Sequence, residues 1–332
     1  MNPLLALSPA IAFVVSLLLT SRWIKVAHAA GIVGIDMNKP HKPKVAEMGG
    51  IAVVAGFLSG VLWYVGLNTF IFGTSSRNLP IFAALTTVLM AALIGLVDDT
   101  LGWKAGLKQW QKPLLTLPAA LPMMVVNVGV STMALPLIGR LDLGILYPLL
   151  IVPIGIVGAS NAFNMIAGFN GLEAGMGIII LFSMGTAAYL LGKPWVGVLA
   201  LLMTASLLAF LIYNKYPAKV FPGDTLTYSV GAFIACIAIL GNMERLAVLL
   251  YTLYYLDFAL SLRGRFKVEA FGVPDEKGCL KEPRQKLYHL THLAIRLIRL
   301  IKGCAREYEV VVLIWAMQVL ISILALQHYL LY

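Results

Sequence analysis

Long apolar stretches constrain this chain more than any other feature of its sequence. Of its 332 residues, 60% are hydrophobic and only 12% are charged, whereas a soluble domain carries about a quarter charged residues. Because each membrane crossing needs roughly 20 mostly apolar residues, the pattern predicts an all-α integral membrane protein with about ten transmembrane helices. The predicted spans are 4–21, 46–67, 81–97, 113–127, 145–160, 171–191, 195–213, 226–241, 245–261 and 309–331.

The basic residues predict the topology. With the N-terminus outside, 21 of the 25 Lys and Arg residues fall in four inside loops, as cytoplasmic loops require. This concentration of basic residues in the inside loops holds only for an even number of membrane crossings. Both termini are therefore expected outside. The chain, residues 1–332, is therefore predicted to be a single multi-span domain with a cytosolic loop insertion at about 262–308.

The net charge of +10 is compatible with a membrane protein and favours anionic partners. Because the basic residues lie on one predicted face without a nucleic-acid motif, membrane lipid headgroups or a phosphorylated substrate explain them better than nucleic acid. Cys236, Cys279 and Cys304 lack metal-ligand spacing, and we expect free thiols. The first span lacks a signal-peptide cleavage pattern and is expected to remain as an anchor.

Two segments outside the spans have patterns of their own. Residues 128–147 alternate weakly around Pro136 and Gly139, which predicts a small outside hairpin. Residues 284–302 place leucines at helical spacing opposite basic residues, which predicts an amphipathic helix on the inner membrane surface.

Amide side chains are concentrated in NAFNMIAGFNGLEAG, residues 161–175, between two apolar spans. Asn161, Asn164 and Asn170 can bind a cation through oxygen or an anion or nucleobase through nitrogen, and Gly168 lets backbone N–H groups approach a phosphate. Such residues also favour ordinary turns. Because polar groups are costly in lipid unless they line an enclosed site, this stretch is a candidate site.

Carboxylates lie at two further predicted cytosolic boundaries. Asp98 and Asp99 end the third span, and Lys108 and Lys112 follow in the next loop. Two adjacent carboxylates near lipid need a cation or basic group to offset their repulsion. Asp224, in KVFPGDTLTYS, could serve in a site or cap the following helix.

Three more groups fall on the same predicted face. The segment 36–50 contains Glu47 and several lysines, and RGRFK contains Arg263 and Arg265, which could equally be topology-setting basic residues. His289 and His292 lie three residues apart on the predicted amphipathic helix, a spacing that suits a metal site or solvated histidines.

Acids, amides and basic groups from five predicted cytosolic loops indicate a divalent cation and a polyphosphate at one site. A hard cation with carboxylate and amide ligands is most plausibly Mg²⁺. Such a cation would neutralise charge during phosphoryl transfer. The sequence therefore predicts an enzyme whose active site lies at the cytosolic membrane surface.

Three motifs together, LVDD, NAFNMIAGFNGLEAG and FPGDT, resemble the signature of the polyprenyl-phosphate N-acetylhexosamine-1-phosphate transferases, glycosyltransferase family 4. The AGFNGLEAG wording and the MNKPHKPKVAEMGG spacing are most similar to the branch that uses UDP-GlcNAc and dolichyl phosphate. The motifs cover residues 36 to about 265 and are highly specific as a set. The resemblance implies transfer of GlcNAc-1-phosphate from UDP-GlcNAc to a polyprenyl or dolichyl phosphate with release of UMP.

The resemblance also implies roles for individual residues. Asn164 and Asp224 match Mg²⁺ ligands, with Mn²⁺ as a substitute, and Asp98 and Asp99 match an acidic catalytic pair. Lys112 matches a phosphate-contacting lysine, and Lys108 competes for that role. The residues expected to bind substrate are Met37, Glu47, Asn161, Gly168, Asn170, Phe221, Arg263 and Arg265.

The last loop departs from the family pattern, because RGRF has Gly264 where histidine is common. His289 or His292 could supply an imidazole from elsewhere, or none is needed. Another UDP-N-acetylhexosamine or UDP-MurNAc-pentapeptide therefore remains an alternative donor. A nucleotide-sugar or lipid-linked sugar transporter is the rival of another class, although transport predicts polar residues at mid-membrane depth. The oligomeric state is open and compatible with a homodimer.

Overall fold

The chain folds almost entirely into helices. The computed structural model describes residues 3–105, 110–135 and 139–331. The α-helices are α1 Pro3–Ala30, α2 Gly50–Gly66, α3 Asn78–Ala105, α4 Gln111–Thr116, α5 Leu121–Val125, α6 Val152–Met165, α7 Leu172–Leu190, α8 Pro194–Asn214, α9 Gly223–Gly241, α10 Glu244–Leu250, α11 Thr252–Arg263, α12 Leu290–Lys302 and α13 Glu307–Leu331. Short π-helical turns extend α2 over Leu67–Ile71 and precede α6 over Tyr147–Ile151.

Within the described residues, eight helices are long and apolar enough to cross a membrane, and a bent pair, α10 and α11, raises the number to nine. The chain is therefore a multi-pass membrane protein, and the exact number of about ten spans stays a prediction. The two helices of the bent pair meet at 55° at Tyr251. An orientation with both termini outside stays a prediction.

The predicted span 113–127 does not form a full-length helix. The chain there runs through α4, a 3₁₀ turn at Leu117–Ala120 and α5. Pro118 and Pro122 each lack a backbone donor and interrupt a continuous α-helix. The resulting helical stretch is shorter than the roughly 30 Å hydrocarbon core of a bilayer.

Helix α9 lies at the centre of the bundle and packs against α3 and α6. Glycines permit both contacts. A Cβ on Gly95 of α3 would lie 2.4 Å from the backbone oxygen of Asp224, and one on Gly231 would lie 2.6 Å from that of Ala159. The close approach at Gly95 brings the end of α3, which carries the acidic pair, to the first turn of α9.

Three short antiparallel hairpins connect the helices. Strands β1 (Val33–Ile35) and β2 (Lys44–Ala46) pair with each other, and Ala46 also bridges Val220 just before α9. Strands β3 (Thr132–Leu135) and β4 (Gly139–Asp142) form the hairpin predicted within 128–147. The bridge to Val220 places the segment after β2 beside the start of α9, where the candidate site lies.

Two cysteines correct the expectation of free thiols. Cys279 and Cys304 form a disulfide, whereas Cys236 stays a buried free thiol in α9. The hairpin of β5 (Val273–Pro274) and β6 (Leu280–Lys281) contacts the chain after α12 through a hydrogen bond from Leu280 N to Ala305 O, 2.8 Å. This tertiary pairing brings the two cysteines together, and their separation of 25 residues gave no sign of it.

The predicted amphipathic helix is shorter than 284–302. It begins at Leu290, because His289 before it is extended. Leu290, Ile295 and Ile298 face the protein. Leu300 is largely exposed, so the leucine stripe is only partly the packed face.

Candidate functional site

An ammonium group joins two of the predicted acids. Lys112, at the start of α4, places Nζ 2.8 Å from Oδ2 of Asp98 and 2.9 Å from Oδ2 of Asp224. Asp98 is buried near the end of α3, and Asp224 lies in the first turn of α9. Three elements distant in sequence therefore contribute to one charged cluster, the Asp98/Lys112/Asp224 cluster.

Asp99 has a different environment from Asp98. Its Oδ1 accepts a hydrogen bond from Asp224 N at 2.7 Å, and its Oδ2 accepts bonds from Thr225 N at 3.0 Å and Thr225 Oγ1 at 2.7 Å. These backbone N–H groups belong to the first turn of α9 and have no partner within the helix. Asp99, which belongs to α3, therefore caps α9 and holds the backbone of Asp224 in place. Asp224 does not itself cap α9.

The two nearby asparagines of α6 point to different partners. The Oδ1 of Asn164 accepts a hydrogen bond from Thr227 Oγ1 of α9 at 2.9 Å. The Nδ2 of Asn161 donates to Thr116 Oγ1 of α4 at 2.9 Å and to Val157 O at 2.8 Å. Asn161 thus joins α6 to α4, while Asn164 lies toward a cavity beside Asp224.

That cavity has a volume of about 230 Å³ and contains six of the predicted residues. Its lining residues are Ile35, Asp36, Met37, Glu47, Asn164, Ala167, Gly168, Phe169, Glu173, Asn214, Phe221, Pro222, Gly223, Asp224, Thr227 and Phe271. The lining combines carboxylate and amide side chains with the aromatic residues Phe169, Phe221 and Phe271.

Glu47 lies against a glycine that leaves room for it. A Cβ on Gly34 would lie 2.0 Å from Oε1 of Glu47. Burial raises the pKa of Glu47, and the negative charge of Asp99 raises it further. Both effects favour the protonated, neutral form of the Glu47 carboxyl.

Asn170 lies beside the cavity. Its Oδ1 accepts hydrogen bonds from Lys39 Nζ at 2.7 Å and from Ala218 N at 2.8 Å, and its backbone N donates to Glu307 Oε1 at 2.8 Å. Lys39 also pairs with Asp36 and Glu307. This buried network ties the β1–β2 loop and the start of α13 to the turn before α7. Substrate contact by Asn170 stays a prediction.

Two predicted arginines lie away from the cavity lining. Arg263 and Arg265 are exposed at the end of α11 and in the turn after it, and neither lines the cavity. Lys108 lies outside the described residues. Their substrate contacts remain predictions.

The two histidines are buried, which differs from the solvated pair considered for a surface helix. His289 Nδ1 lies 3.3 Å from the carboxylate of Asp257 and 3.2 Å from Ser261 Oγ. Its Nε2 lies 2.8 Å from Val268 O. His289 therefore joins α11 to the chain that leads to Phe271, and it does not line the cavity.

The stabilising effect of the contact between His289 and Asp257 is expected to depend on pH. Burial alone would lower the pKa of His289, but its hydrogen bond and ion pair with Asp257 raise the pKa above 6.5. The pair then stabilises the fold fully below pH 6.5, and its contribution is lost as pH rises through the higher folded-state pKa. His289→Asn should lower the free energy of unfolding by about 1–3 kcal/mol near pH 6 and by less near pH 8.5.

Thermal unfolding of the purified protein across that pH range measures this effect. His41→Asn, which replaces an exposed histidine, is the matched control and should keep the wild-type profile. An unchanged pH profile in His289→Asn would contradict the assignment.

The donor set suits a hard cation. Asp98, Asp99 and Asp224 bring three carboxylates to a network with one ammonium, Lys112. Within residues 3–105, 110–135 and 139–331, no group of three or more His, Cys, Asp and Glu side chains is arranged to hold a metal ion without other donors. Mg²⁺ commonly uses one or two carboxylates together with substrate phosphates, so Asp224 with the Asn164 oxygen fits that chemistry.

Several residues of the site were missed by the sequence analysis. Thr227 lies one helical turn after Asp224, so the i, i+3 spacing could have found it. Glu173 is buried and accepts a hydrogen bond from Gly168 N at 2.8 Å, within the stretch that drew attention for its amides. Phe271 had no local signal, since only the folding of the last loop brings it to the cavity.

Known proteins resemble this chain over most of its length. Residues 81–242 match the family described as glycosyl transferase family 4. A protein of Saccharolobus solfataricus named as a putative UDP-N-acetylglucosamine–dolichyl-phosphate N-acetylglucosaminephosphotransferase is 37% identical, over 95% of this chain and 94% of the relative. A protein of Sulfolobus acidocaldarius with the same name is 34% identical over 96% and 94%. A phospho-N-acetylmuramoyl-pentapeptide-transferase of Streptococcus thermophilus is 31% identical over 75% of each chain.

Proposed function

The chain belongs to glycosyl transferase family 4, and we propose that it transfers GlcNAc-1-phosphate from UDP-GlcNAc to a polyprenyl phosphate such as dolichyl phosphate. The products would be GlcNAc-diphosphate-lipid and UMP, the first step of lipid-linked glycan assembly. The observation that carries the proposal is the Asp98/Lys112/Asp224 cluster, whose Asp224 lines the same cavity as Asn164. The nearly full-length relatives named for this reaction support the same conclusion.

The reaction exchanges one phosphorus–oxygen bond for another. An oxygen of the lipid phosphate attacks the phosphorus that bears the sugar, and the bond from that phosphorus to the oxygen of UMP breaks. Lys112 is placed to contact a phosphate, because its ammonium lies 2.9 Å from Asp224, which lines the cavity. Asp98 is placed to orient the lipid phosphate or accept its proton, though the low pKa of a phosphate makes a base only partly necessary.

We propose Mg²⁺ as the cofactor, with Mn²⁺ as a substitute, held by Asp224 and Asn164. When bound there, the ion would neutralise charge on the diphosphate during transfer. Asp99 contributes by holding the first turn of α9, and with it Asp224, in place.

The site is proposed to face the cytosol, where nucleotide sugars are made. The end of α3, the end of α6 and the start of α9 meet at the cavity, so the chemistry would take place at one end of the helix bundle. The predicted distribution of basic residues assigns that end to the inside. A lipid phosphate could then reach the site from the bilayer while the nucleotide enters from water.

A donor panel tests the proposal. Purified protein would be incubated with dolichyl or undecaprenyl phosphate and with UDP-GlcNAc, UDP-GalNAc or UDP-MurNAc-pentapeptide, and the lipid product identified by mass spectrometry. We expect GlcNAc-diphosphate-lipid and one UMP per product, dependent on lipid phosphate and abolished by EDTA. Product from UDP-MurNAc-pentapeptide alone would assign the other branch, and substrate transport without UMP release would refute an enzyme.

A further inference from the structure

A short segment after α11 contributes Phe271 to the lining of the cavity beside Asp224. We call this the donor cavity, because the proposed function places UDP-GlcNAc there. We call residues 268–272 the Phe271 strap. Its outer side is attached to the start of α12. Thr291 Oγ1 donates to Ala270 O at 2.7 Å, His289 Nε2 lies 2.8 Å from Val268 O, and His292 Nε2 lies 3.3 Å from the carbonyl oxygen of Phe271. The strap is therefore anchored to the protein on the side away from the cavity.

A single amide side chain holds the strap on its inner side. Asn38, in the loop between β1 and β2, is 3% exposed. Its Oδ1 accepts a hydrogen bond from Gly272 N at 2.9 Å, and its Nδ2 donates to Gly168 O at 2.8 Å. Both ends of the amide are thus used, and they join two segments that lie 130 and 234 residues away.

The two joined segments carry adjacent parts of the cavity lining. Gly168 and Phe271 both line the cavity, and a Cβ on Gly168 would lie 2.9 Å from Cε1 of Phe271. The ring therefore packs directly on the Gly168 backbone, whose φ of +131° is one that side chains rarely adopt. Because Asn38 is bonded to both backbones, it fixes the separation between the ring and the turn.

We propose that Asn38 is a positioning residue that sets the shape of the donor cavity by holding the Phe271 strap against the Gly168 turn. The inference rests on the proposed function for the identity of the donor, UDP-GlcNAc. Asn38 acts through Phe271 and does not line the cavity itself. Loss of the amide should leave the chemistry intact and weaken the binding of one of the two substrates.

A double-mutant cycle on donor binding tests this role. Asn38→Ala removes two hydrogen bonds and should raise the KM for UDP-GlcNAc about tenfold, with kcat and the KM for lipid phosphate changed by less than about twofold. Phe271→Ala should have a similar effect. If Asn38 acts through Phe271, the double variant should be no worse than the more severe single variant, whereas independent residues would combine to about a hundredfold.

A matched variant separates positioning from general loss of stability. Gln318, a buried amide of α13, donates to Leu250 O at 3.0 Å away from the cavity. Gln318→Ala should lower the melting temperature while the KM for UDP-GlcNAc stays unchanged. If Asn38→Ala does not fold, Asn38→Ser serves instead, because a serine hydroxyl is too short to reach both backbone groups.

Three results would overturn the proposal: an unchanged donor KM in either single variant, multiplicative effects in the double variant, or an equal rise in the KM for both substrates. Failure of the proposed function is distinguishable, because wild-type protein would then make no product from UDP-GlcNAc at all.

Discussion

Asp224→Asn is expected to lower kcat by about 10³-fold, because it removes a charge from the point where the site is proposed to bind Mg²⁺ and contact phosphate. Asparagine has nearly the same shape as aspartate, so the packing of α9 should persist. In the wild type, Asp224 shares the ammonium of Lys112 with Asp98. The variant leaves Lys112 with one carboxylate and takes away one of the two proposed metal ligands.

UMP release from UDP-GlcNAc, measured with lipid phosphate and saturating Mg²⁺, gives the result directly. Asp142→Asn is the matched control, since Asp142 is an exposed carboxylate at the end of β4. It should retain wild-type activity. Activity within about tenfold of wild type in Asp224→Asn would remove Asp224 from the proposed catalytic site.

Asp99→Asn is expected to destabilise the protein as well as inactivate it. Asp99 accepts three hydrogen bonds at the first turn of α9, two of them from backbone N–H groups. An asparagine would direct its NH₂ group at one of these donors, so at least one buried N–H would lose its acceptor. We expect the free energy of unfolding to fall by about 2–4 kcal/mol and kcat to fall with it, because the backbone of Asp224 is no longer fixed.

Asp98, the residue next to Asp99, provides the control variant for this prediction. Asp98→Asn should reduce activity with a smaller loss of stability, since Asp98 contacts the side chain of Lys112 and not the turn of α9. Thermal unfolding and UMP release measured on both variants separate the two roles. Equal losses of stability in the two variants would contradict the assignment of Asp99 as the cap of α9.

Much of the site could be predicted from sequence, because each motif is local. LVDD, NAFNMIAGFNGLEAG and FPGDT each combine polar residues with the end of an apolar stretch, and these signals require no knowledge of packing. The motifs themselves do not predict how these residues are placed relative to one another in space. Asp98 and Asp99 are adjacent in sequence, yet only the packing of α3 on α9 gives one a lysine partner and the other a helix to cap.

The last loop shows the opposite case. Substrate contacts of Arg263 and Arg265 stay predictions, whereas the structure brings Phe271 of the same loop to the cavity, where no prediction had placed it. The contacts that place Phe271 run from Asn38, His289 and Thr291, and the disulfide of Cys279 with Cys304 closes the same region. None of these pairs has a spacing that a local pattern could reveal.

The sequence by itself determined the membrane class, most of the helices and the residue types of the site, because hydropathy, helix-ending residues and polar clusters act over a few turns of chain. The tertiary structure decided which acid pairs with Lys112, which acid caps α9, and which aromatic ring covers the cavity. Those contacts join segments tens to hundreds of residues apart, and their geometry follows from close packing of helices at small residues such as Gly95 and Gly231. Packing of that kind is a property of the whole chain, so no single segment contains it.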